Sequence, residues 1–301
     1  MRETHVTRYG DMLITVIIPT FQRPDSLARC LECIGRQTLS REQFEVVVTD
    51  DSRDLATRDM IGEKFPWARW TQGPGRGPAA NRNHGASQGE GDWIVFVDDD
   101  CEPAVGWLAA IAAQRDVDVV EGKTVCPSER DTPFEERVEN LRGGVFWTCN
   151  LAVRRFVFDR LGGFDEDFLE AGGEDMEFAW RIARDKLHTR FLPGALVVHP
   201  ARNLTWKQLW RRTWLIRWMA LYRLKTGQSA PADASWFSAL VTLVKREVAD
   251  LLRSTLHFLM KFDRSRWWRK TFQQAWKWIT FPLVLPYLML WEIRFRIQLS
   301  K

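Results

Sequence analysis

Three short apolar runs each end in a cluster of polar residues, and this repeated ending constrains the chain more than any other feature. Leu13-Ile14-Thr15-Val16-Ile17-Ile18 stops at Pro19 and is followed by Thr20-Phe21-Gln22-Arg23. Phe44 to Thr49 runs into Asp50-Asp51-Ser52, and Trp93 to Val97 runs into Asp98-Asp99-Asp100. Runs of this length and β-branched content predict buried strands. Between them the pattern predicts an amphipathic helix from Pro24-Asp25-Ser26 to about Cys33, a short strand at Trp67 to Gln72, a Gly/Pro loop at Gly73 to Pro78 and a helix at Ala79 to Gln88. Strand and helix alternate, so the first hundred residues are expected to form a parallel α/β sheet. Ligands of such sheets sit beyond the carboxyl ends of the strands. The three polar clusters are therefore expected to face one crevice.

The next hundred residues continue the pattern less regularly. Trp107 to Gln114 reads as a helix, Val117 to Thr124 and Val145 to Val153 as strands, and a helix follows Arg154-Arg155 to Leu161. Gly162-Gly163-Phe164-Asp165 turns the chain. Gly172-Gly173 precedes Glu174-Asp175, which opens a helix through Ala183, and Phe191 to Val198 is a last strand ending at His199-Pro200.

Three groups in this framework carry chemistry. Three adjacent carboxylates where a buried strand surfaces repel one another unless a cation or hydrogen-bond donors offset the charge. A hard divalent ion at Asp98 and Asp100 would do so and would bridge phosphate oxygens, whereas a solvated acidic turn needs no ion. Glu174 and Asp175 at a helix start are suited to capping. A carboxylate at such a loop tip is equally suited to take a proton from an attacking hydroxyl, and the Gly pair lets backbone approach a substrate closely. His199 is either structural or a neutral imidazole completing a metal shell.

Together these pieces resemble glycosyltransferase family 2. The resemblance covers roughly residues 13–200 and is carried by Val16-Ile17-Ile18-Pro19-Thr20-Phe21-Gln22-Arg23, Val46-Val47-Val48-Thr49-Asp50-Asp51-Ser52, Gly77-Pro78-Ala79-Ala80-Asn81-Arg82-Asn83-His84-Gly85 and Phe96-Val97-Asp98-Asp99-Asp100. Asn150-Leu151-Ala152-Val153-Arg154-Arg155, Gly162-Gly163-Phe164-Asp165-Glu166 and Gly173-Glu174-Asp175 follow in the family order. The chain departs from the family in passing directly from Asp51 to Ser52, where a Gly is common, and in having Asn81 where Ala is more usual.

The resemblance implies an α/β GT-A fold with a Rossmann-like mixed sheet, and an inverting transfer of a sugar from a nucleotide diphosphate donor. It implies a nucleotide bordered by Pro19, Thr20, Phe21 and Arg23, with Asp50 or Asp51 accepting a hydrogen bond from a uracil imide, which favours a UDP donor. Arg82 and Asn83 would line the nucleotide pocket, with Asp98 near the ribose. Asp99, between the outer positions of the DxD motif, would help or be tolerated. Asp98, Asp100 and His199 would hold Mn²⁺ or Mg²⁺, and Asp175 would be the catalytic base beside Glu174. The expected organisation is a nucleotide-sugar half over residues 1–110, an acceptor half over 111–204 and a helical extension over 205–301. A non-catalytic carbohydrate-binding protein on the same fold is one alternative. A nucleotidyltransferase is another, although it would usually carry a Gly-rich, Lys-bearing loop where Thr20 to Ser26 holds only Arg23.

Charge divides the chain at about the same place. After position 200 there are 19 Lys and Arg against 5 Asp and Glu, whereas the first 200 residues hold 24 against 34. Ten of the sixteen Trp also lie after position 200, so two jobs are expected in one chain. Trp206, Trp210, Trp214 and Trp218 recur every fourth residue and predict one helical stripe, interleaved with Arg211, Arg212 and Arg217. Arg266-Trp267-Trp268-Arg269-Lys270 and Trp276-Lys277-Trp278 add to this mixture, which suits an anionic membrane surface. An ordinary helical extension packing its Trp stripe on the catalytic domain is the plain alternative, and Arg211 or Arg212 would suit a donor diphosphate. Nucleic acid binding is not expected, because it leaves the carboxylate clusters unexplained.

Export is not indicated by the charged Met1 to Met12, and Ile279 to Trp291, about thirteen residues interrupted by Pro282 and Pro286, is shorter than the roughly twenty that a span requires. The expected location is the cytoplasmic, inner face of the cell membrane, with a saccharide or lipid-linked acceptor in surface polysaccharide or glycolipid synthesis. The five cysteines, an odd number that includes Cys30 and Cys33 on a helix without a second pair, are expected to be free thiols.

Overall fold

The computed structural model describes residues 13–128, 132, 134–229, 236–260 and 267–299. Met1 to Met12 and Arg266 lie outside the described residues. The chain divides into two compact units. One comprises the residues up to Pro127 together with Arg137–Pro200, and the other Ser128–Glu136 together with the residues from Ala201 onward.

The first unit is built on β1 (Ile14–Thr20), α1 (Pro24–Gly35), β2 (Phe44–Asp50), α2 (Ala56–Lys64), β3 (Arg69–Gln72), α3 (Pro78–Ser87), β4 (Trp93–Phe96), β5 (Glu102–Pro103), α4 (Trp107–Ala112) and β6 (Val119–Val125), then β8 (Leu151–Arg154), α5 (Arg155–Leu161), α6 (Glu174–Arg184) and β9 (Thr189–Val198). Its eight-stranded sheet has the order β3-β2-β1-β4-β8-β6-β9-β5. β3, β2, β1 and β4 pair in parallel, β8 runs antiparallel to both β4 and β6, and β9 is parallel to β6. The expected parallel half is present, and β8 makes the complete sheet mixed. The carboxyl ends of β1, β2, β4, β6 and β9 consequently share one edge.

Register brings His199 to that edge. β5 pairs antiparallel with β9, placing Glu102 opposite Val198. The flanking residues Cys101 and His199 are therefore neighbours, although nearly a hundred residues separate them in the chain. The His199 backbone N–H also donates to the Val125 carbonyl at 2.8 Å, at the end of β6.

One side of the sheet packs on Leu27, Leu31, Ile34, Trp107 and Leu108 from α1 and α4. The other carries an aromatic cluster in which Phe96 of β4 lies 5.4 Å from Phe158 of α5 and 5.1 Å from Phe164, and Phe164 lies 4.7 Å from Phe178 of α6. These rings fix the start of α6 relative to the acidic end of β4.

Two expectations need correction, and one helix carries little sequence signal. Val145 to Val153 is not one strand, since only Leu151–Arg154 pairs in the sheet and Thr148–Asn150 forms a 3₁₀ turn. The segment wraps the buried Glu121 carboxylate, which accepts the backbone N–H groups of Gly144, Val145 and Phe146 at 2.6, 2.8 and 2.6 Å. α2 was not read from its sequence, because Thr57 and Ile61 are its only buried residues and leave little periodic signal. The tryptophan stripe spans two helices, as the next paragraph describes.

In the second unit β7 (Glu135–Glu136) pairs with β10 (Arg202–Asn203), followed by α7 (Trp206–Trp214), α8 (Arg217–Lys225), α9 (Trp236–Met260) and α10 (Trp267–Leu299). Thr205 and Gln208 form a capping box at the start of α7. The chain turns at Leu215 and Ile216, so Trp218 belongs to α8. The rings pack on α10: Trp206 and Trp210 against Trp276, Trp214 against Tyr287, and Trp218 against Trp291 and Phe295. Arg212 is ion-paired with Glu136. Pro282 and Pro286 lie within α10. Among the described residues no helix is long and apolar enough to cross a membrane.

Candidate active site

The end of β4 provides three carboxylates with three different environments. Asp99 is 5% exposed and accepts from the Thr20 hydroxyl at 2.7 Å and from Arg23 Nη1 at 3.2 Å. Burial pushes its carboxyl up to about 6, against the Thr20 and Arg23 contacts, which favour the charged form. Arg23 also reaches Asp100 at 3.3 Å, and Asp100 lies 3.7 Å from His199 Nε2. Asp98 pairs with Arg82 Nη2 at 3.0 Å.

His199 is 1% exposed, and its Nδ1 lies 3.1 Å from the Pro200 carbonyl. The bond to that carbonyl uses a proton on Nδ1 and turns Nε2 toward the Asp100 carboxylate. A neutral ring in that orientation would offer Nε2, together with the carboxylate, to one cation. Asp100, His199 and Cys101 bring their ligand atoms within 4.8 Å of one another. A carboxylate and an imidazole whose far nitrogen is held by a carbonyl are a donor pair that fits a divalent metal. Cys101 is fully buried at this corner, with its thiol raised by burial; it was not among the candidates read from sequence.

Across the edge stands the start of α6. Gly173 adopts φ 124°, a left-handed conformation that a side chain would strain. Gly172 donates its N–H to Glu174 Oε2 at 2.8 Å. Glu174 is buried and accepts from Arg82 Nη1 at 3.2 Å, so the buried Arg82 guanidinium spans from Asp98 to Glu174. Burial alone would weaken its charge, but Asp98 and Glu174 outweigh that and raise its pKa. Asp175 accepts backbone N–H groups of its own turn, from Met176 at 2.8 Å and from its own amide. Burial first, and then the Glu174 charge, raise its carboxyl to about 6, with the Met176 N–H and Arg82 opposing. A carboxyl in that range is ionised at neutral pH and basic enough to take a proton from a hydroxyl in a transition state.

The remaining nucleotide candidates separate into lining and framework residues. Pro19 and Phe21 border the crevice end of β1, with Phe21 56% exposed. The loops after β1 and β2 are tied together by the Gln22 N–H to Ser52 Oγ at 2.7 Å and the Asp51 N–H to the Thr20 carbonyl at 3.0 Å. Asp50 is fully buried, and its carboxylate accepts the Ser52 N–H at 2.8 Å, so it closes the turn. Asp51 is partly exposed and accepts the Gly75 N–H at 2.8 Å, while burial raises its carboxyl. Asn83 is engaged away from the strand ends. It donates to the Phe164 carbonyl and to Glu166, and it accepts the Phe164 N–H. Asn83 clamps the Gly162–Glu166 turn, and Arg82 bridges two acidic clusters.

The chain is similar in sequence and fold to known proteins. Residues 15–162 match the model of Glycosyl transferase family 2, and residues 134–200 match one described as the N-terminal domain of galactosyltransferase. The chain is 29% identical over 215 residues to validoxylamine A glucosyltransferase of Streptomyces hygroscopicus subsp. jinggangensis, covering 56% of this chain and 51% of that protein. It is 26% identical over 207 residues to glycosyltransferase AglE of Haloferax volcanii, covering 63% and 67%. The chain spans about half the length of the validoxylamine A glucosyltransferases it matches. Among solved structures, the mannosyltransferase PcManGT from Pyrobaculum calidifontis, in complex with GDP-Man and Mn²⁺, superposes with a TM-score of 0.59 at 19% identity, over 95% of this chain and 88% of that one. Sheet order, acidic edge and sequence likeness agree: the chain belongs to glycosyl transferase family 2, on a GT-A-like α/β fold with C-terminal helices.

Proposed function

We propose that the chain is a metal-dependent, inverting glycosyltransferase that moves a sugar from a UDP-linked donor to an acceptor hydroxyl. The observation that carries this reading is the Arg82 bridge, which sets the acidic end of β4 and the Asp175 carboxylate on either side of one guanidinium at the same sheet edge. Thr20, Phe21, Arg23 and the exposed side of Asp51 border the nucleotide, with Asp51 accepting a hydrogen bond from the uracil imide N–H. Asp50 supports Asp51 from below by closing its turn.

Asp100 and His199 would hold Mn²⁺ or Mg²⁺, which when bound neutralises charge on a departing diphosphate. Asp98 stands beside them with its charge shared by Arg82. Asp175 takes the proton of the acceptor hydroxyl as that oxygen attacks the anomeric carbon from the face opposite the diphosphate. The glycosidic bond forms, the bond to the diphosphate oxygen breaks, and a single displacement inverts the configuration. Glu174 pairs with Arg82 and holds the Gly172 turn.

The acceptor is a saccharide or a lipid-linked saccharide at the inner face of the membrane, in surface polysaccharide or glycolipid synthesis. Support for that location is the basic, tryptophan-rich helical unit. A panel of UDP-, GDP- and dTDP-sugars, measured by calorimetry and donor hydrolysis with Mn²⁺, tests the donor. UDP-sugars should bind and turn over best. Stronger binding of a GDP-sugar would overturn the role of Asp51, and no turnover of any nucleotide sugar would overturn the enzyme.

A further inference from the structure

α10 is apolar on both sides. Toward the helical unit it buries Val284, Leu288 and Phe295. On the opposite side Ile279, Leu283 and Leu290 are 68, 52 and 67% exposed, and Pro282 and Pro286 are exposed between them. At about 100° per residue, Ile279, Leu283, Pro286, Leu290 and Ile297 fall within roughly 40° of one direction. Widening the sector to about 60° over residues 275–297 admits Arg294 as its one charged residue. The stripe from Ile279 to Ile297 is about 27 Å long. At one end Trp278, itself exposed, donates Nε1 to Thr255 of α9, one residue from the exposed Leu256. An apolar face of this extent calls for a partner.

Charge decides which partner. After position 200 the chain holds 19 basic against 5 acidic residues. A second copy would bring the same excess and be repelled, whereas anionic lipid headgroups are attracted. The prolines set the depth. Without N–H groups at 282 and 286, the carbonyls of Trp278 and Pro282 lack their usual helical donors. Water reaches such carbonyls at the headgroup boundary and does not in the hydrocarbon core.

We propose that the Ile279–Leu283–Leu290 face of α10 lies in the plane of an anionic membrane and inserts these side chains beneath the headgroups, holding the enzyme parallel to the surface without crossing it. This inference rests on the membrane reading of the helical unit and adds the face and the depth. The test is co-sedimentation of the full chain with phosphatidylglycerol vesicles and with phosphatidylcholine vesicles, together with light-scattering mass. The wild type should partition onto phosphatidylglycerol and little onto phosphatidylcholine. Ile279→Glu/Leu283→Glu/Leu290→Glu should weaken that partition at least about tenfold with donor hydrolysis unchanged. If the wild type fails to sediment, the membrane reading falls and this inference with it. If wild type and triple variant sediment alike, the membrane reading stands and the α10 face is wrong. A change from dimer to monomer with vesicle partition unchanged would assign the face to a second copy. Should the triple variant lose its helical circular dichroism, single Ile279→Glu and Leu290→Glu variants carry the same comparison, each with a several-fold loss expected.

Discussion

The two acidic clusters at the sheet edge are built alike and differ in what they leave available. In each, one carboxylate is neutralised by Arg82, Asp98 in the first and Glu174 in the second, and another is raised to about 6 mainly by burial, Asp99 in the first and Asp175 in the second. Asp99 is enclosed by the Thr20 hydroxyl and Arg23, whereas Asp175 sits at a helix start after two glycines with backbone N–H groups of its own turn as its described hydrogen-bond donors. Residue type is therefore a poor guide to role at this edge. In the mechanism we propose, the carboxylates held by side-chain donors build the site and the one held by its own turn moves a proton.

The comparison breaks most sharply at its ends. Asp100→Ala should reduce transfer by about 10³-fold or more, since it removes the carboxylate that faces His199. Calorimetry should show a matching loss of Mn²⁺ affinity; retained affinity would place the ion elsewhere. Asp175→Asn should cost about 10²–10⁴ in transfer rate while UDP affinity is kept. The same variant sharpens the electrostatic argument. A carboxyl raised above its unfolded value contributes stability below about 3.8 that is lost as pH rises through about 6. At pH 8 the neutral Asn should therefore melt a few degrees higher than the wild type, to within roughly the scale that a 1 kcal/mol change produces. A lower melting temperature at pH 8 would mean that the Asp175 charge is stabilised in a way its surroundings do not explain.

Arg82→Ala tests whether the clusters are coupled. It leaves two carboxylates facing each other without their shared cation, so a loss of about 3–5 kcal/mol of stability is expected, with about 10² lost in transfer from misplacement of α6. Arg82→Lys should recover part of both. Without Arg82 the Asp175 carboxyl should rise further, since the guanidinium opposes the effects of burial and Glu174. In the wild type the ionised base is lost below pH 6, so transfer at pH 5 should stand about tenfold below its neutral plateau. In Arg82→Lys that acid limb should stay near its wild-type position. A purely structural role for Arg82 would lower the rate without moving the limb in any folded variant that lacks the charge.

Much of this was legible in sequence. β1, β2 and β4 announce themselves as Val- and Ile-rich runs with polar ends, and parallel pairing carries those ends to one edge. What was not legible depends on long-range partners. The apolar run at Val145 to Val153 looks like a strand until Glu121, more than twenty residues earlier, collects its amides. The Arg82 bridge has no sequence signal, because α6 brings Glu174 to it from 92 residues away. The meeting of Asp100 and His199 was expected from the family resemblance alone; the β5–β9 register that makes it, and that adds Cys101, involves a two-residue strand with no periodic signal. The tryptophans at every fourth position hide the turn at Leu215-Ile216, because neither residue is a helix breaker and the spacing continues through it.

Asp99→Asn is the weakest and most selective probe of the comparison. Asn matches Asp in shape and keeps an oxygen to accept the Thr20 hydroxyl at the same place. Arg23 loses one carboxylate and keeps Asp100. If enclosure makes Asp99 part of the framework, exchanging one charge for a neutral amide alters a single hydrogen bond, and transfer should stay within about tenfold of the wild type. The contrast with Asp175→Asn is then the measurement: the same chemical change at two carboxyls raised to about 6, with rate losses differing by at least roughly tenfold. Equal losses at the two positions would mean that enclosure does not separate framework from base, and that Asp99 takes a direct part in transfer.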